Sequence, residues 1–485
     1  MRAILIALMF EALFINIGTH VAAAGADPGQ YIRLGRQALK EDHPSQARLY
    51  FLSALSMLHE HPNHSLDNQI SALSGLGYAD LWLGNQSEAK KSYSEGLHLA
   101  HDAMDRATMR LGLARALNDL GRPRQAYCLL RDHSIDHHDA ALQAAISASL
   151  LGWNARSTDL LHEAAPNGVY IGPNWQRKLY NQTNKAIGFK MKPHVNVGFQ
   201  YSGDSDHNTE QTYQAGMTFP SSGFGDNSLS PAVWSIGYQQ SQIHGTIGEI
   251  GMDTLSGSVA APLNSDWNYS LQAGLGLTRA WAFSAVTGRL SYHPDDDWGL
   301  ELGFDRQPIE TIQATANHIL VNTFSFEGFR QLPLLGTVSA SYFNQHFSDE
   351  NQRNGFVTRI TPTFYSFNPI PIAIGLQGYY RYYESGQARL NDYFNPRHYS
   401  EAICYIIYEQ KFLPQWMLKI HAGFGSQTAD NTTIPVKDIY GTITGSVLPY
   451  FQVDLKAGYS EVASSSGGGA GYNVNYVMAD ISVPF

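Results

Sequence analysis

The sequence predicts a multidomain α + β chain: an N-terminal α-solenoid followed by a transmembrane antiparallel β-barrel of about 16 strands. Three observations predict it. Residues 29–165 repeat a helical pattern of small residues and single aromatics at intervals of about 37 to 42 residues. From Pro193 the apolar period changes to two and stays there to Phe485. The 485 residues are 15% charged and 12% aromatic, with 27 Tyr and 44 Gly. That balance suits a strand-built membrane surface better than a cytosolic enzyme.

Taken in order, Met1-Arg2 and the apolar run Ala3 to Ile17 precede the small residues Ala22 to Ala26. Residues 1–26 therefore read as a secretory signal peptide cut before Asp27. Glu11 interrupts the run, and an uncleaved anchor is the alternative. After this segment no window of about 18 apolar residues occurs, so helical membrane spans are not expected.

Residues 27–165 read as a periplasmic helical domain. Gly35, Ala47 and Phe51 belong to one unit; Gly77, Ala89 and Tyr93 to the next; Ala114, Gly121 and Ala126 to a third. A weaker fourth unit carries Ala145, Gly152 and Ala164. The offsets resemble the tetratricopeptide pattern, in which small residues let paired helices approach and an aromatic fills the gap. Such a solenoid has a concave face that holds a peptide or a partner protein; a plain helical bundle is the alternative. Residues 166–190, with Pro166 and Pro173, read as a linker holding one short helix near Trp175 to Asn184.

Residues 191–485 read as the barrel. Val195, Val197, Phe199 and Tyr201 alternate with Asn196, Gly198 and Gln200, and Trp298, Leu300, Leu302 and Phe304 with Gly299, Glu301, Gly303 and Asp305. Sixteen strands are expected to start near 193, 210, 232, 244, 267, 283, 297, 317, 335, 355, 371, 398, 413, 437, 450 and 472. Pro262 to Asn264, Pro294 to Asp296, and the turns at Pro333, Pro369, Pro414 and Pro449 fit tight periplasmic connections. Residues 307–316, 384–397, 426–436 and 462–471 fit surface loops, and 220–231 is a long connection where a short one belongs. The last strand alternates Val477, Ala479, Ile481, Val483 and Phe485. A terminal aromatic on such a strand resembles the signal read by the outer-membrane barrel-assembly machinery.

Charge and cysteines narrow the function. From residue 190 onward there are about 25 Asp and Glu against about 15 Lys and Arg, which accounts for the formal charge of −10 and disfavours nucleic acid as a partner. Cys128 and Cys404 stand far apart, so neither a disulfide nor a cysteine metal site is expected. The triad residue types in His346-Phe347-Ser348-Asp349 are adjacent in sequence, whereas a triad is assembled in space. Asp204-Ser205-Asp206 and Asp295-Asp296-Asp297 read as solvated turns before Ca²⁺ ligands. No catalytic residue, metal or cofactor is assigned. By the alternation, Glu249, Asp253, Glu301, Asp305, Asp454 and Asp480 fall in the luminal register, with Tyr379, Arg381 and Tyr383. Luminal acids favour cations, and tyrosines stack on sugar rings. Alternatively these groups pair with luminal arginines and fill the wall.

The order of helical repeats and barrel resembles the outer-membrane exopolysaccharide exporters, the cellulose synthase outer-membrane subunit and the poly-N-acetylglucosamine porin. The local stretch that carries the resemblance is Tyr393-Phe394-Asn395-Pro396-Arg397-His398-Tyr399, with Phe304 to Pro308 a looser echo. The resemblance implies passive biofilm-polysaccharide export through an outer-membrane porin. Its helical domain would guide polymer or bind an inner-membrane glycan synthase, and residues 393–396 would sit in a gate loop. The repeats are fewer than those exporters usually carry. A second resemblance, to surface lipoprotein assembly modulators, implies protein translocation instead.

Overall fold

The computed structural model describes residues 27–60, 65–131, 138–221, 225–332, 335–362, 365–367, 372–388, 392–413, 415–448, 451–464 and 467–485. The expected signal peptide, and the turns at Pro333, Pro369, Pro414 and Pro449, lie outside them. The chain forms two compact units, one drawn from residues up to 151 with 159–177, the other from 152–158 with 178–485.

Among the described residues the helices before the barrel are α1 (Pro28–Lys40), α2 (Pro44–Glu60), α3 (Leu66–Trp82), α4 (Gln86–Leu99), α5 (Ala103–Asp119), α6 (Pro123–Leu130), α7 (His138–Leu150), α8 (Asn154–Ala164) and α9 (Asn174–Lys190). From α1 to α7 consecutive helices pack on one another in a solenoid-like row. The first-turn signals are local: Asp27 accepts a hydrogen bond from the Gly29 amide, Pro28 opens α1, and Asp102 caps α5 through the Asp105 amide at 2.7 Å. Gly84 and Gly121 follow α3 and α5 with φ of +75° and +71°, the left-handed geometry that ends a helix.

The packing logic repeats along the unit. Phe51 is fully buried, and a Cβ on Gly75 would lie 2.3 Å from its ring. Tyr93 is buried in the same way against Gly77 and Gly112. Each aromatic thus fills the slot between two helices whose glycines allow close approach. Ala47, Ala89, Ala114 and Ala126 are fully buried beside them, and Gly35 faces Phe51. A half-buried ion pair, Arg48 Nε to the buried Asp80 Oδ1 at 2.7 Å, ties α2 to α3. Helix α9 is longer than the short helix expected in the linker, because Tyr180, Ile187 and Phe189 are buried along it.

The second unit is a closed antiparallel barrel of sixteen strands. Its first half is β1 (His194–Asp204), β2 (Thr209–Ser221), β3 (Ala232–Gly245), β4 (Gly248–Pro262), β5 (Trp267–Thr278), β6 (Ala282–Tyr292), β7 (Trp298–Pro308) and β8 (Leu320–Leu332). The second half begins with β9 (Gly336–Phe347) and β10 (Gln352–Thr361, continued by Tyr365–Phe367). It goes on through β11 (Ile372–Ser385), β12 (His398–Leu413), β13 (Trp416–Ala429), β14 (Thr432–Leu448), β15 (Phe451–Ser460) and β16 (Val474–Pro484). Closure comes from β1, which pairs with β2 on one side and with β16 on the other, from His194 opposite Pro484 to Asp204 opposite Val474. Among the described residues, closing the sheet leaves no strand without a partner on each side, which is the condition for crossing hydrocarbon with strands. The Phe485 amide donates to the Pro193 carbonyl at 3.0 Å, so both ends of the barrel meet.

The outer register is apolar: Val197, Met217, Ile236, Leu255, Leu275, Leu302, Phe324, Leu376, Ile406, Phe424, Leu455 and Val477 are all exposed. Ile481 and Val483 share that face, by their parity with Val477. Three expected loop positions are corrected. Residues 426–436 are mostly strand, because β13 and β14 meet in a two-residue turn after Ala429 with Asp430 at a φ of +51°. Of the stretches expected as surface loops, 307–316 turns inward, and so do residues 392–396, the part of 384–397 named for a gate loop. The first carries α10 (Ile312–Ala316), and both pack against inward-facing wall residues.

Candidate functional site

Alternation along each strand leaves one register for the lumen. Near Phe485 the inward register of β1 to β5 is hydrogen-bonding: Asn196, Gln214, Thr218, Ser235, Ser256 and Gln272 line a recess of about 410 Å³ together with Asp480 and Ser482. These groups bond to one another around the wall, Asn196 Nδ2 to Thr218 Oγ1 at 2.9 Å and Ser482 Oγ to Asn196 Oδ1 at 2.7 Å.

The opposite wall, β10 to β16, is aromatic and cationic. The Arg353 guanidinium lies 4.4 Å from the Tyr383 ring centre, Tyr383 stacks on Tyr399 at 4.8 Å, and Arg381 lies 5.3 Å from Tyr383 and 5.7 Å from Tyr399. Lower on the wall Arg359 covers Tyr379 at 5.4 Å. His421 then stacks on Tyr440 at 4.4 Å, and Lys456 sits between Tyr440 and Tyr476 at 4.7 and 5.3 Å. Hydroxyls anchor the rings, Tyr399 to Glu401 at 2.5 Å and Tyr405 to Asp438 at 2.7 Å. Cations over aromatic faces are stabilised most where water is scarce. The result is a stair of rings and cations around seven strands.

Two inward segments close on this wall. Asn395 is fully buried; its Oδ1 accepts from Arg353 Nε at 2.8 Å, Arg353 Nη2 at 2.5 Å and Ser385 Oγ at 2.7 Å, while its Nδ2 donates to the Gln387 carbonyl at 3.0 Å. Tyr393 stacks on Phe347 at 5.0 Å, and its hydroxyl donates to Asp349 and accepts from Asn351. Phe394 stands edge-on to Tyr399, and Pro396 is buried. The two segments also grip each other: Thr311 Oγ1 donates to the Asp392 carbonyl at 2.5 Å and Asn317 Nδ2 to Asp392 Oδ1 at 2.7 Å. On its other side α10 seats Ile312 in the apolar patch of Ile243, Met252 and Phe283, and Trp281 Nε1 donates to the Thr315 carbonyl at 2.9 Å. Glu310, at the start of this segment, keeps surface exposed, yet the surrounding protein and the Glu210 carboxyl within hydrogen-bonding reach push its carboxyl up to about 7.

The acids expected in the lumen divide into groups. Glu301 and Asp305 face inward and share Arg289, at 3.5 and 2.7 Å. Asp454 and Asp480 face inward opposite each other on β15 and β16. Arg381 lies 3.9 Å from Glu401. Much of the luminal charge is therefore compensated on the wall, which weakens the simple expectation of cation preference. The tyrosine reading changes too, since Tyr379 and Tyr383 already hold cations against their rings.

Glu249 and Asp253 are not luminal. Both share the outward register of Leu255; Glu249 lies 3.3 Å from His244, and Asp253 accepts from the Tyr238 hydroxyl. The alternation misassigned them because Ile250 and Met252, apolar but inward, pack under α10. The acidic turns serve the backbone: Asp204 accepts from the amides of Asp206 and Asn208, and Asp295 from those of Asp297 and Trp298. Ser348 Oγ accepts from the Leu320 amide and donates to the His318 carbonyl, while Asp349 serves Tyr393, so this motif braces the loops.

Sequence reasoning missed Arg353, Tyr399, Glu401, Tyr405, Tyr440, Lys456 and Tyr476. On β12 the apolar residues fall on both faces, with Ile403 and Ile407 buried inward and Ile406 exposed outward, so the period of two carries little signal there. The parity of Lys456 with Asp454 would have placed it inward.

No protein-family model matches the chain, and no curated protein sequence matches it. Among solved structures, a bacterial polysaccharide outer-membrane secretin superposes with a TM-score of 0.52 at 11% identity, over 61% of this chain and 99% of its own. CdiB from Acinetobacter baumannii gives a TM-score of 0.39 at 10% identity, over 60% of each chain. The first likeness is one of fold. The described strands close into a barrel that resembles an outer-membrane barrel protein.

Proposed function

We propose that this protein is an outer-membrane export pore for a polysaccharide, with the helical unit guiding the polymer or holding partners of its synthesis. The observation that carries the reading is the asymmetry of the lumen. One wall offers amides and hydroxyls at fixed spacing, which suits sugar hydroxyls; the other offers a stair of rings and cations along which a chain of repeating units can pass. The tethered segments across the mouth would hold the pore shut until polymer arrives. The fold likeness to a polysaccharide secretin agrees with this reading, and so does the exporter-like stretch Tyr393 to Tyr399, which supplies both Asn395 and the Tyr399 ring.

The helical unit favours a second reading. Its α1, α3 and α5 line a groove of about 400 Å³ with Arg36, Tyr78 and Arg115, a shape that suits a peptide and hence protein translocation. Deleting the gene in its host and assaying the cell surface separates the two. Loss of a surface glycan, with surface lipoproteins unchanged, supports export; loss of a lipoprotein with glycans intact overturns it.

A further inference from the structure

The outer wall carries one feature that no role in export uses. On β5 to β9 the outward residues Leu271, Leu290, Leu302, Phe304 and Phe324 border a groove of about 640 Å³. Its floor is Gly288, where the register would otherwise set a side chain between Val286 and Leu290. Phe304 and Phe324 are cross-strand partners with ring centres 4.9 Å apart, and they stand in one row with Gly288.

One outward position further along β7 stands Arg306. Its Nη1 donates to Asn322 Oδ1 at 2.9 Å, and that bond holds the guanidinium in the row above the two phenylalanines. The outward residues of β5 to β10 include no Asp or Glu among those described, because Glu301, Asp305 and Glu327 all take the inward register. Arg306 thus faces the surroundings of the barrel without an acidic partner on that face.

Height decides what meets it. Trp298, Trp267 and Tyr292 form an aromatic group at the other end of these strands, with Trp267 and Tyr292 at 4.5 Å and Tyr292 and Trp298 at 5.6 Å. Eight residues from Trp298 to Arg306, at about 3.3 Å each and a strand tilt of about 40°, span roughly 20 Å along the membrane normal. An aromatic girdle on one boundary puts Arg306 close to the other boundary of an apolar band about 25 Å tall. That boundary lies at the end of the barrel away from Pro193 and Phe485.

We propose that this face binds one phosphorylated, multiply acylated glycolipid of the outer leaflet, with a phosphate on Arg306 and an acyl chain in the groove over Gly288. The layout matches such a lipid: a cation at the interface and, one outward position further in, two aromatic rings with the gap over Gly288 beside them in the same cross-strand row. A fixed guanidinium takes a phosphate bidentately, and the missing side chain at Gly288 gives the acyl chain its depth. The site does not depend on the cargo of the pore.

The test uses the full chain in detergent, titrated with diphosphoryl lipid A, with enzymatically dephosphorylated lipid A and with phosphatidylglycerol, and read by native mass spectrometry. One saturable molecule of diphosphoryl lipid A is expected, held in preference to the other two. Arg306→Gln should weaken it roughly five- to tenfold and remove the preference for phosphate. Gly288→Leu should weaken both forms of lipid A by filling the slot. Leucine suits a lipid-facing strand position, and a Cβ there meets only Leu271, at 3.4 Å, so this variant keeps its fold. Heat-dependent gel migration confirms that each variant is a folded barrel. Unsaturable binding, equal retention of phosphatidylglycerol, or an Arg306→Gln protein that binds as the parent does would each overturn the proposal.

Discussion

Replacing Asn395 with Ala should open the mouth of the barrel. The carboxamide is fully buried, and its oxygen is the acceptor for two guanidinium donors of Arg353 and for the Ser385 hydroxyl. Truncation leaves those three donors without that acceptor and removes one of two bonds to the Gln387 carbonyl, which keeps the Asn351 amide. A hydrogen bond to a charged donor contributes about 1.5 to 3 kcal/mol and a neutral one about 1 kcal/mol. Water reaching the vacated space restores part of this. A net loss of about 3 kcal/mol from the inward position corresponds to a shift of roughly a hundredfold toward the displaced loop. The Asp392 contacts to Thr311 and Asn317 remain and keep the displacement incomplete. Single-channel recording of the full chain in planar bilayers should show a rise in open probability or in conductance. Asn395→Asp keeps an acceptor for Arg353 and should stay near the parent. A folded Asn395→Ala barrel with unchanged currents would refute the latch.

Other perturbations read different parts of the structure. The Glu310 carboxyl, beside Glu210, is pushed up to about 7. A raised acid favours the inward segment below the ordinary glutamate range, and that support is lost as pH rises from about 4.5 to about 7. Open probability should climb over that window, and Glu310→Gln should flatten the dependence; a parent protein insensitive to pH would count against it. Glu401→Ala removes the carboxylate that Tyr399 donates to and that lies near Arg381. It should destabilise the barrel by about 3 kcal/mol, seen as a lower temperature for loss of the folded band on gels. Phe51→Ala empties the slot between Gly35 and Gly75 and should cost the helical unit about 3 to 5 kcal/mol, seen in the helical transition by circular dichroism while the strand transition stays put.

How much was legible depends on what each pattern had to encode. Strand starts read from the period of two fall close to the observed ones, at 267 for Trp267 and 398 for His398, because a sheet with lipid on one face and water on the other enforces alternation. The pattern fails where the lumen is filled with protein. Ile250 and Met252 are apolar because they support α10, so the same alternation that placed Glu301 and Asp305 inward sent Asp253 to the wrong face. The loops at 307–316 and 384–397 carry Thr311, Asp392, Tyr393 and Asn395, whose polar side chains suggest surface. Their partners, Arg353 on β10 and Asn351 before it, lie about 40 residues away or more, and no local period reports such contacts. In the helical unit the small residues and the single aromatics at Phe51 and Tyr93 were readable, since each hairpin repeats the same slot.

The measurement that tests the account most directly is current block by oligosaccharides in the Asn395→Ala channel, where the latch over the lumen is weakened. Neutral, cationic and anionic oligosaccharides are added in turn at matched length. The account predicts reversible, concentration-dependent block by one of the three classes, weakened several-fold by Tyr440→Ala or Gln272→Ala, one from each wall. An open pore that passes ions and is blocked by none of them would contradict polysaccharide export.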